Sequence, residues 1–402
     1  VLAIAEFRNF LMGRFVFIMG LRMMGTLVAW WMYELTHDAF NIGMIGLAEA
    51  IPAVGLSLYA GYVVDKSDKR KLLLRCVVLF AICALILLTT SSYWFTQSFK
   101  TNVTIIFIYA VIFCTGIIRA FSGPTFSSII ASLVPRHLLI NASQLSSTSW
   151  LVASITGHAM AGFLIAWLHV TGTFMVISSL ILIGLSFLFQ LKSKPPGISS
   201  EKKTLEAVSE GLRFVFKTKD VLAALTLDLF AVLFGGAVAL VPVYAKDILK
   251  VGPIGFGWLN AAADIGAIIM VAWLTLSPMK RKQGIKLLLA VAGFGACIIV
   301  FGLSKWYWLS FAALLLSGVL DGVSVVVRGN IMQLKTPDEL RGRVMSVNSM
   351  FINSSNEIGQ FESGVAAKLM GVIPSVVFGG CMTIVVVIAT WFKAPSLRKL
   401  EY

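Results

Sequence analysis

Charge is scarce in this chain. Only 13% of its residues are Asp, Glu, Lys or Arg, against about 25% in soluble domains, while 58% are hydrophobic, against roughly 45–50%. A soluble protein of 402 residues would have to hide that excess in one or two cores. Here it is gathered into apolar stretches such as 103–118, 174–191 and 376–392. These runs are the cores of longer segments, and about 18–25 residues cross a ~30 Å hydrocarbon layer at about 1.5 Å per residue. The shortage of charge therefore excludes a soluble fold.

Reactive side chains are sparse as well. The four histidines, His37, His137, His158 and His169, are scattered, and neither His-Glu-x-x-His nor Gly-x-Ser-x-Gly is present, so no hydrolase site is supported. Cys76, Cys83, Cys114, Cys297 and Cys381 all fall inside apolar spans with no metal-ligand spacing. That pattern argues against disulfides and zinc and for small apolar fillers. The chain reads as a non-enzyme with no cofactor and no metal. Its first apolar run lacks a small-residue cleavage site and is followed by further spans, so it reads as a retained helix.

What is present is a series of spans near 10–35, 42–64, 72–92, 103–131, 139–168, 172–191, 220–246, 255–277, 285–303, 306–333, 342–370 and 374–393. The formal net charge of +14 could suggest nucleic acid, but its placement argues otherwise. With both termini on one side, that side collects 24 of the 33 Lys and Arg residues, and the opposite side holds only Lys100, Lys246, Lys250 and Lys305. This is the positive-inside pattern, and it predicts cytoplasmic termini; the membrane expected is a bacterial inner membrane. The expected fold is an all-α membrane protein of twelve transmembrane helices in two pseudo-symmetric six-helix bundles. The bundles are 1–191 and 220–402, joined by a cytoplasmic linker over 192–219. Within the linker, Leu205, Val208, Leu212, Val215 and Phe216 recur at helical spacing, which predicts an amphipathic helix on the membrane surface; a solvated tether is the alternative.

The halves repeat one another. An offset of 202 places Pro135 on Pro337, Gly157 on Gly359 and Gly162 on Gly364, and an offset of 211 places Tyr33 on Tyr244. The second span of each half opens with spaced glycines, Ile42-Gly43-Met44-Ile45-Gly46 and Gly255-Phe256-Gly257-Trp258. Parallel repeats of this kind are a recurring transporter architecture, with the solute site near the membrane midplane.

A charge at the centre of a span costs about 2.5–3.5 kcal/mol on insertion scales, so each one needs a partner or water. Arg14, Arg328 and Lys368 lie near span ends, where snorkelling suffices. Glu34, Glu49 and Glu362 are further charges within or near spans. Arg22, Arg119, Asp228, Asp264, Asp321 and Glu357 lie deeper. The 202 offset maps Arg119 onto Asp321, which would present a cation and an anion at equal depth from the two halves. It also maps Gln144, Ser147, Leu151, Ser154 and His158 onto Ser346, Ser349, Asn353, Asn356 and Gln360. Spacings of three and four residues make each set one helix face. These faces predict a wet cavity lined by Arg22, Gln144, His158, Asn353, Asn356 and Gln360; a polar seam between helices is the alternative. His158 fits either a proton carrier or a hydrogen-bonded packing residue. Asp228, Asp264, Asp321 and Glu357 are the stronger proton-carrier candidates, since burial raises a carboxyl pKa and a nearby Arg lowers it.

The loop after the second span reads Gly61-Tyr62-Val63-Val64-Asp65-Lys66-Ser67-Asp68-Lys69-Arg70-Lys71. It resembles the signature loop of the major facilitator superfamily, Gly-x-x-x-Asp-(Arg/Lys)-x-Gly-(Arg/Lys)-(Arg/Lys), with Asp68 where the family has Gly. Asp tolerates a left-handed backbone, so the same turn is expected. Arg119-Ala120-Phe121-Ser122-Gly123 resembles the fourth-span motif of proton-coupled members. Pro337-Asp338-Glu339-Leu340-Arg341-Gly342-Arg343-Val344 resembles an element of the branch holding the enterobactin exporter and drug:proton antiporters. The resemblance implies a cytoplasmic gate from Gly61, Asp65, Lys66, Lys69, Arg70, Arg341 and Arg343, and proton coupling through Arg119 and Asp321. The antiporter-type Gly-Pro-x-x-Gly-Gly of the fifth span is absent; Gly157-His158-Ala159-Met160-Ala161-Gly162 stands there instead.

The function expected is a monomeric secondary transporter in the lipid bilayer, working by alternating access. It is expected to export amphiphilic drug- or siderophore-like molecules in exchange for protons, with Phe, Trp and Met supplying an adaptable lining. Uptake or flipping of an anionic organic solute or lipid is the alternative, with Arg22 and Arg119 as anion partners. A non-transporting receptor is the remote one. Nucleic acid is not an expected partner.

Overall fold

The structure, a computed structural model, describes residues 1–193, 204–277, 282–337 and 340–398. Lys194, Lys202, Lys203, Lys280, Arg281 and Lys399 lie outside them, as do the side chains of Leu205, Val208, Arg341, Ser346 and Asn353. The helices are α1 (Ala5–Thr36), α2 (Ala39–Gly55), α3 (Ser57–Lys66), α4 (Lys69–Thr90), α5 (Tyr93–Ser98), α6 (Thr101–Leu133), α7 (Leu139–Phe189) and α8 (Thr204–Lys217). They continue as α9 (Lys219–Phe234), α10 (Val241–Val243), α11 (Pro253–Leu276), α12 (Gln283–Leu303), α13 (Tyr307–Lys335), α14 (Arg341–Met370), α15 (Val372–Lys393) and α16 (Pro395–Arg398). The described residues contain no strand.

Nine of these stretches are long and apolar enough to cross a bilayer, and α2 with α3 makes a tenth, bent by 57°. The bend follows Pro52, which has no N–H for the helical ladder and whose ring crowds the preceding turn. Two features bring the number to the twelve expected. Helix α7 runs 51 residues but breaks helical geometry at His169 (φ 56), which divides it into the fifth and sixth spans. Helix α14 is 30 residues long and more polar than the other spans, as its Ser, Asn and Gln face requires. Between α14 and α15 only Gly371, at φ 92, turns the chain, a backbone region costly for residues with a Cβ.

Contacts divide the chain into two compact units. Unit 1 is Val1–His37, Ala48–Glu201 and Gly252–Ala261; unit 2 is Asp38–Leu47, Lys202–Val251 and Ala262–Tyr402. The two transferred decapeptides are the openings of the second and eighth spans, and the spaced glycines explain their placement. A Cβ on Gly43 would lie 2.8 Å from the Gly364 Cα, and one on Gly257 would lie 2.9 Å from the Gly162 Cα. Without side chains these backbones touch, the usual means of close helix packing where lipid supplies no hydrophobic drive.

Unit 1 is built on the length of α1 against both arms of α7. Gly13 and Gly184 allow the approach, and Phe17 stacks on Phe126 and meets Phe80 edge-on, each at 5.5 Å. Unit 2 buries Leu225, Leu288, Val291, Val327 and Val347 together, with Leu212 and Val215 of α8 against them. The linker helix therefore spends part of its apolar face on unit 2, and Phe216 stays exposed.

Candidate functional site

In unit 1 the deep charges organise around one close helix contact. Gly116 of α6 stands against α2, where a Cβ would lie 2.5 Å from the Glu49 carbonyl oxygen and 2.7 Å from the Pro52 ring. One turn further on, Arg119 donates from Nη1 to Glu49 Oε1 at 2.9 Å. The pair is not sealed: the two side chains keep 42% and 25% of their surface. A half-exposed ion pair on membrane-spanning helices needs water beside it, because lipid offers no solvation for charge. Arg119, read from the repeat as the counterpart of Asp321, thus has its ion partner on its own unit.

A second cluster joins α1 to α7. Thr26 donates its hydroxyl hydrogen to the Arg22 carbonyl at 2.9 Å and lies 2.6 Å from His158 Nδ1. A hydroxyl has one hydrogen to give, so a Thr26 that donates to Arg22 O can bond His158 only as acceptor, which requires the ring proton on Nδ1. The Arg22 guanidinium lies over Trp150, 4.6 Å from the ring centroid, in cation–π geometry. Gly157 brings the backbones together, since a Cβ there would lie 2.8 Å from Met19 O. Along the same face Gln144 and Ser147 are exposed, His158 is half-buried and Ser154 is buried. The expected polar face is therefore graded, exposed at one end and packed at the other.

Unit 2 carries the acids. Asp228 of α9 and Arg328 of α13 form an ion pair whose side chains keep 7% and 4% of their surface. Arg328 does not snorkel, as its place near a span end suggested; α9 buries it against a carboxylate. Arg14 departs the same way, bonding Ser146 on α7 and lying over Phe126. Lys368 is exposed and covers the Phe40 ring at 4.2 Å. Asp264 and Asp321 lie near enough to act on one another electrostatically. Gly318 and Gly266 cause that proximity: a Cβ at Gly318 would collide with Ala263 O, and one at Gly266 with Leu315 O. Asp228, Asp321 and Ser324 line one cavity. Glu357 is buried, and Gln360 and the Glu357 backbone receive Gly46 of α2. Asn356 turns its amide back onto Ile352 O at 3.0 Å.

The loop expected to form a gate is held by capping. Asp68 has an extended backbone (φ −62, ψ 112) and accepts from Lys71 N at 3.1 Å as the N-cap of α4. The left-handed turn expected there is absent, because a capping carboxylate satisfies the helix end directly. Asp68 also accepts from Ser193, and Arg70 donates to Phe189 O at 2.8 Å, so the loop is tied to the end of α7. Lys66 bonds the Tyr62 hydroxyl at 2.6 Å. Asp65 is exposed near the end of α3, and Lys69 opens α4. A Cβ on Gly61 would meet nothing. In unit 2, Arg343 pairs with Glu210 of α8, and Gly211 packs on the Arg343 backbone.

Sequence reasoning missed Glu49 as a site residue, and with it Thr26, Ser324, Gly116 and Gly318. The glycines left a signal: the 202 offset that joins Arg119 to Asp321 also joins Gly116 to Gly318.

Comparison with known proteins gives the chain relatives over its whole length. A family model described as transmembrane secretion effector matches residues 2–401. The enterobactin exporter EntS of Shigella boydii serotype 18 is 23% identical over 401 residues, covering 98% of this chain and 93% of that protein. The Escherichia coli O1:K1 / APEC protein of the same name is 22% identical over the same lengths. Among solved structures, the POT family transporter PepTSo superposes with a TM-score of 0.77 at 12% identity, covering 98% and 99% of the two chains. A POT family transporter bound to 5-aminolevulinic acid gives 0.74 at 14% identity, covering 98% and 96%. The nucleoside transporter NupG gives 0.73 at 12%, covering 96% and 99%.

Proposed function

The chain belongs to the transmembrane secretion effector family within the major facilitator superfamily, and from that premise we propose that it exports amphiphilic, siderophore- or drug-like molecules by proton antiport. It is an integral membrane transporter, not an enzyme. The transport cycle is alternating access, and the chain acts as a monomer with both termini in the cytoplasm of a bacterial cell. Relatives named for enterobactin export along nearly the full chain support the siderophore-like class.

The observation that carries proton coupling is the half-exposed Arg119–Glu49 pair at 2.9 Å. Helix movement that parts the pair would break a charge balance that a proton can restore, and re-forming the pair would displace that proton. Asp321, Asp264, Asp228 and Glu357 extend the acid set through the second unit. The gate is assigned to the loop from Gly61 to Arg70 together with Arg341 and Arg343, and the solute lining to Arg22, Gln144, His158, Asn353, Asn356 and Gln360.

Inside-out vesicles under an imposed pH gradient test the reading. Antiport export requires solute to accumulate when the vesicle interior is acid. Accumulation only with a basic interior would overturn it.

A second reading, uptake or flipping of an anionic solute, is favoured by one feature. Arg22 rests on the Trp150 face, which fixes a guanidinium charge at the α1–α7 contact beside Thr26 and His158. The same vesicles distinguish it, since uptake gives the opposite dependence on gradient direction.

A further inference from the structure

The cavity of unit 2 has the dimensions and charge of an ion site rather than a solute site. Its volume is about 10 Å³, room for about one water-sized sphere and not for a drug-sized ligand. Apolar Val232, Val291 and Phe294 form one part of its wall, and Asp228, Asp321 and Ser324 the other. Asp228 is matched by Arg328, while Asp321 brings a second carboxylate to the same space. Asp264 adds a third in electrostatic range.

Ser324 points to what the cavity takes. It is 3% exposed, and its hydroxyl makes no hydrogen bond. Serines in helices ordinarily bond their own backbone one turn back, as Ser317 of the same helix does with Leu314 O at 2.7 Å. Ser324 gives up that bond with its oxygen at the cavity wall. Buried polar groups are almost always satisfied, so a bare hydroxyl at a cavity wall leaves an oxygen that a ligand in the cavity can take. Asp321 and Ser324 are three residues apart on α13 and share a face, and Asp228 approaches from α9.

We propose that Asp228, Asp321 and Ser324 bind a sodium ion. Carboxylate and hydroxyl oxygens suit a hard cation. A divalent ion is disfavoured, because calcium takes six to eight oxygens and Arg328 already neutralises one carboxylate. Magnesium likewise demands near-ideal octahedral geometry. The ion and Arg328 share Asp228, so ion entry loosens the α9–α13 ion pair. The site stands on this cavity alone and adds a second cation to the export reading.

The purified full chain in detergent is titrated with sodium chloride at one fixed pH, choline chloride holding ionic strength constant. Melting temperature and bound radioactive sodium are read together. The expected result is a saturable rise in Tm with sodium and none with choline. Ser324→Ala should raise the half-saturating sodium concentration about tenfold, the loss of one good oxygen ligand at about 1.4 kcal/mol. Asp321→Asn should abolish sodium binding. Equal Tm in sodium and choline, or unaltered sodium affinity in Ser324→Ala, overturns the site. Ser324→Ala decides the matter if Asp321→Asn does not fold. Loss of the sodium effect with intact proton-driven transport removes this site and leaves the export reading standing. An intact sodium effect without proton-driven transport does the reverse.

Discussion

Arg119 reaches Glu49 at 2.9 Å because Gly116, one helical turn earlier, lets α2 lie directly on α6. The same device recurs at Gly318, which lets α13 lie on α11 beside Asp264 and Asp321. The two contacts occupy equivalent places in the internal repeat, 202 residues apart. In one unit the repeat places an arginine against a glutamate; in the other it places two aspartates together. The fold supplies the close crossing, and the side chains one turn away decide its chemistry.

Gly116→Leu should lower the melting temperature and abolish transport, since overpacking a tight contact costs about 1–3 kcal/mol. Gly61→Ala provides the contrast. A Cβ there meets nothing, and replacing a helical glycine removes a backbone entropy cost of roughly 0.5–1 kcal/mol, so Tm should hold or rise. Thermal melts in detergent read both.

Asp228→Ala leaves the Arg328 guanidinium buried without its carboxylate and should destabilise by about 3–5 kcal/mol. Combining Asp228→Leu with Arg328→Met removes both charges and should recover most of that loss. A double-mutant cycle on unfolding measures the difference. Additive effects would show that the pair is not coupled.

Glu49→Gln keeps the shape of the α2–α6 contact and removes the group that pairs with Arg119. Transport down a solute gradient should continue, while acceleration by a pH gradient should disappear. A vesicle assay run with and without the gradient separates the two, and gradient-driven transport at the wild-type rate would remove Glu49 from the coupling role.

His158 should carry its ring proton on Nδ1, because Thr26 has given its hydrogen to Arg22 O. Nitrogen NMR of labelled histidine reads the tautomer. Thr26→Val removes the acceptor, should cost about 1 kcal/mol for one hydrogen bond, and should release the tautomer preference.

Asp68→Ala should cost about 1 kcal/mol as the loss of an N-cap, while Asp68→Gly, which restores the family's residue, should cost only a few tenths. A larger loss for glycine than for alanine would contradict the capping role.

The sequence by itself determined the spans and the fold they imply. Span length and apolarity are local, so α4, α12 and α15 are legible within their own residues. The break at His169 between two apolar runs was legible in the same way, and so was the helix over 204–217. Tertiary structure decided the partners. Nothing within twenty residues of Arg119 indicates Glu49, and nothing near Arg328 indicates Asp228, because each pair depends on which helix lies alongside and at what height. Position near a span end led Arg328 to be read as snorkelling, but a carboxylate on a neighbouring helix holds it in place. The repeat related Arg119 to Asp321 only by equivalent position; in three dimensions Arg119 pairs with Glu49 at a contact set by a glycine. A charge in a low-dielectric medium takes the nearest partner that packing brings to it, and packing is a property of the assembled bundle rather than of the sequence around the charge.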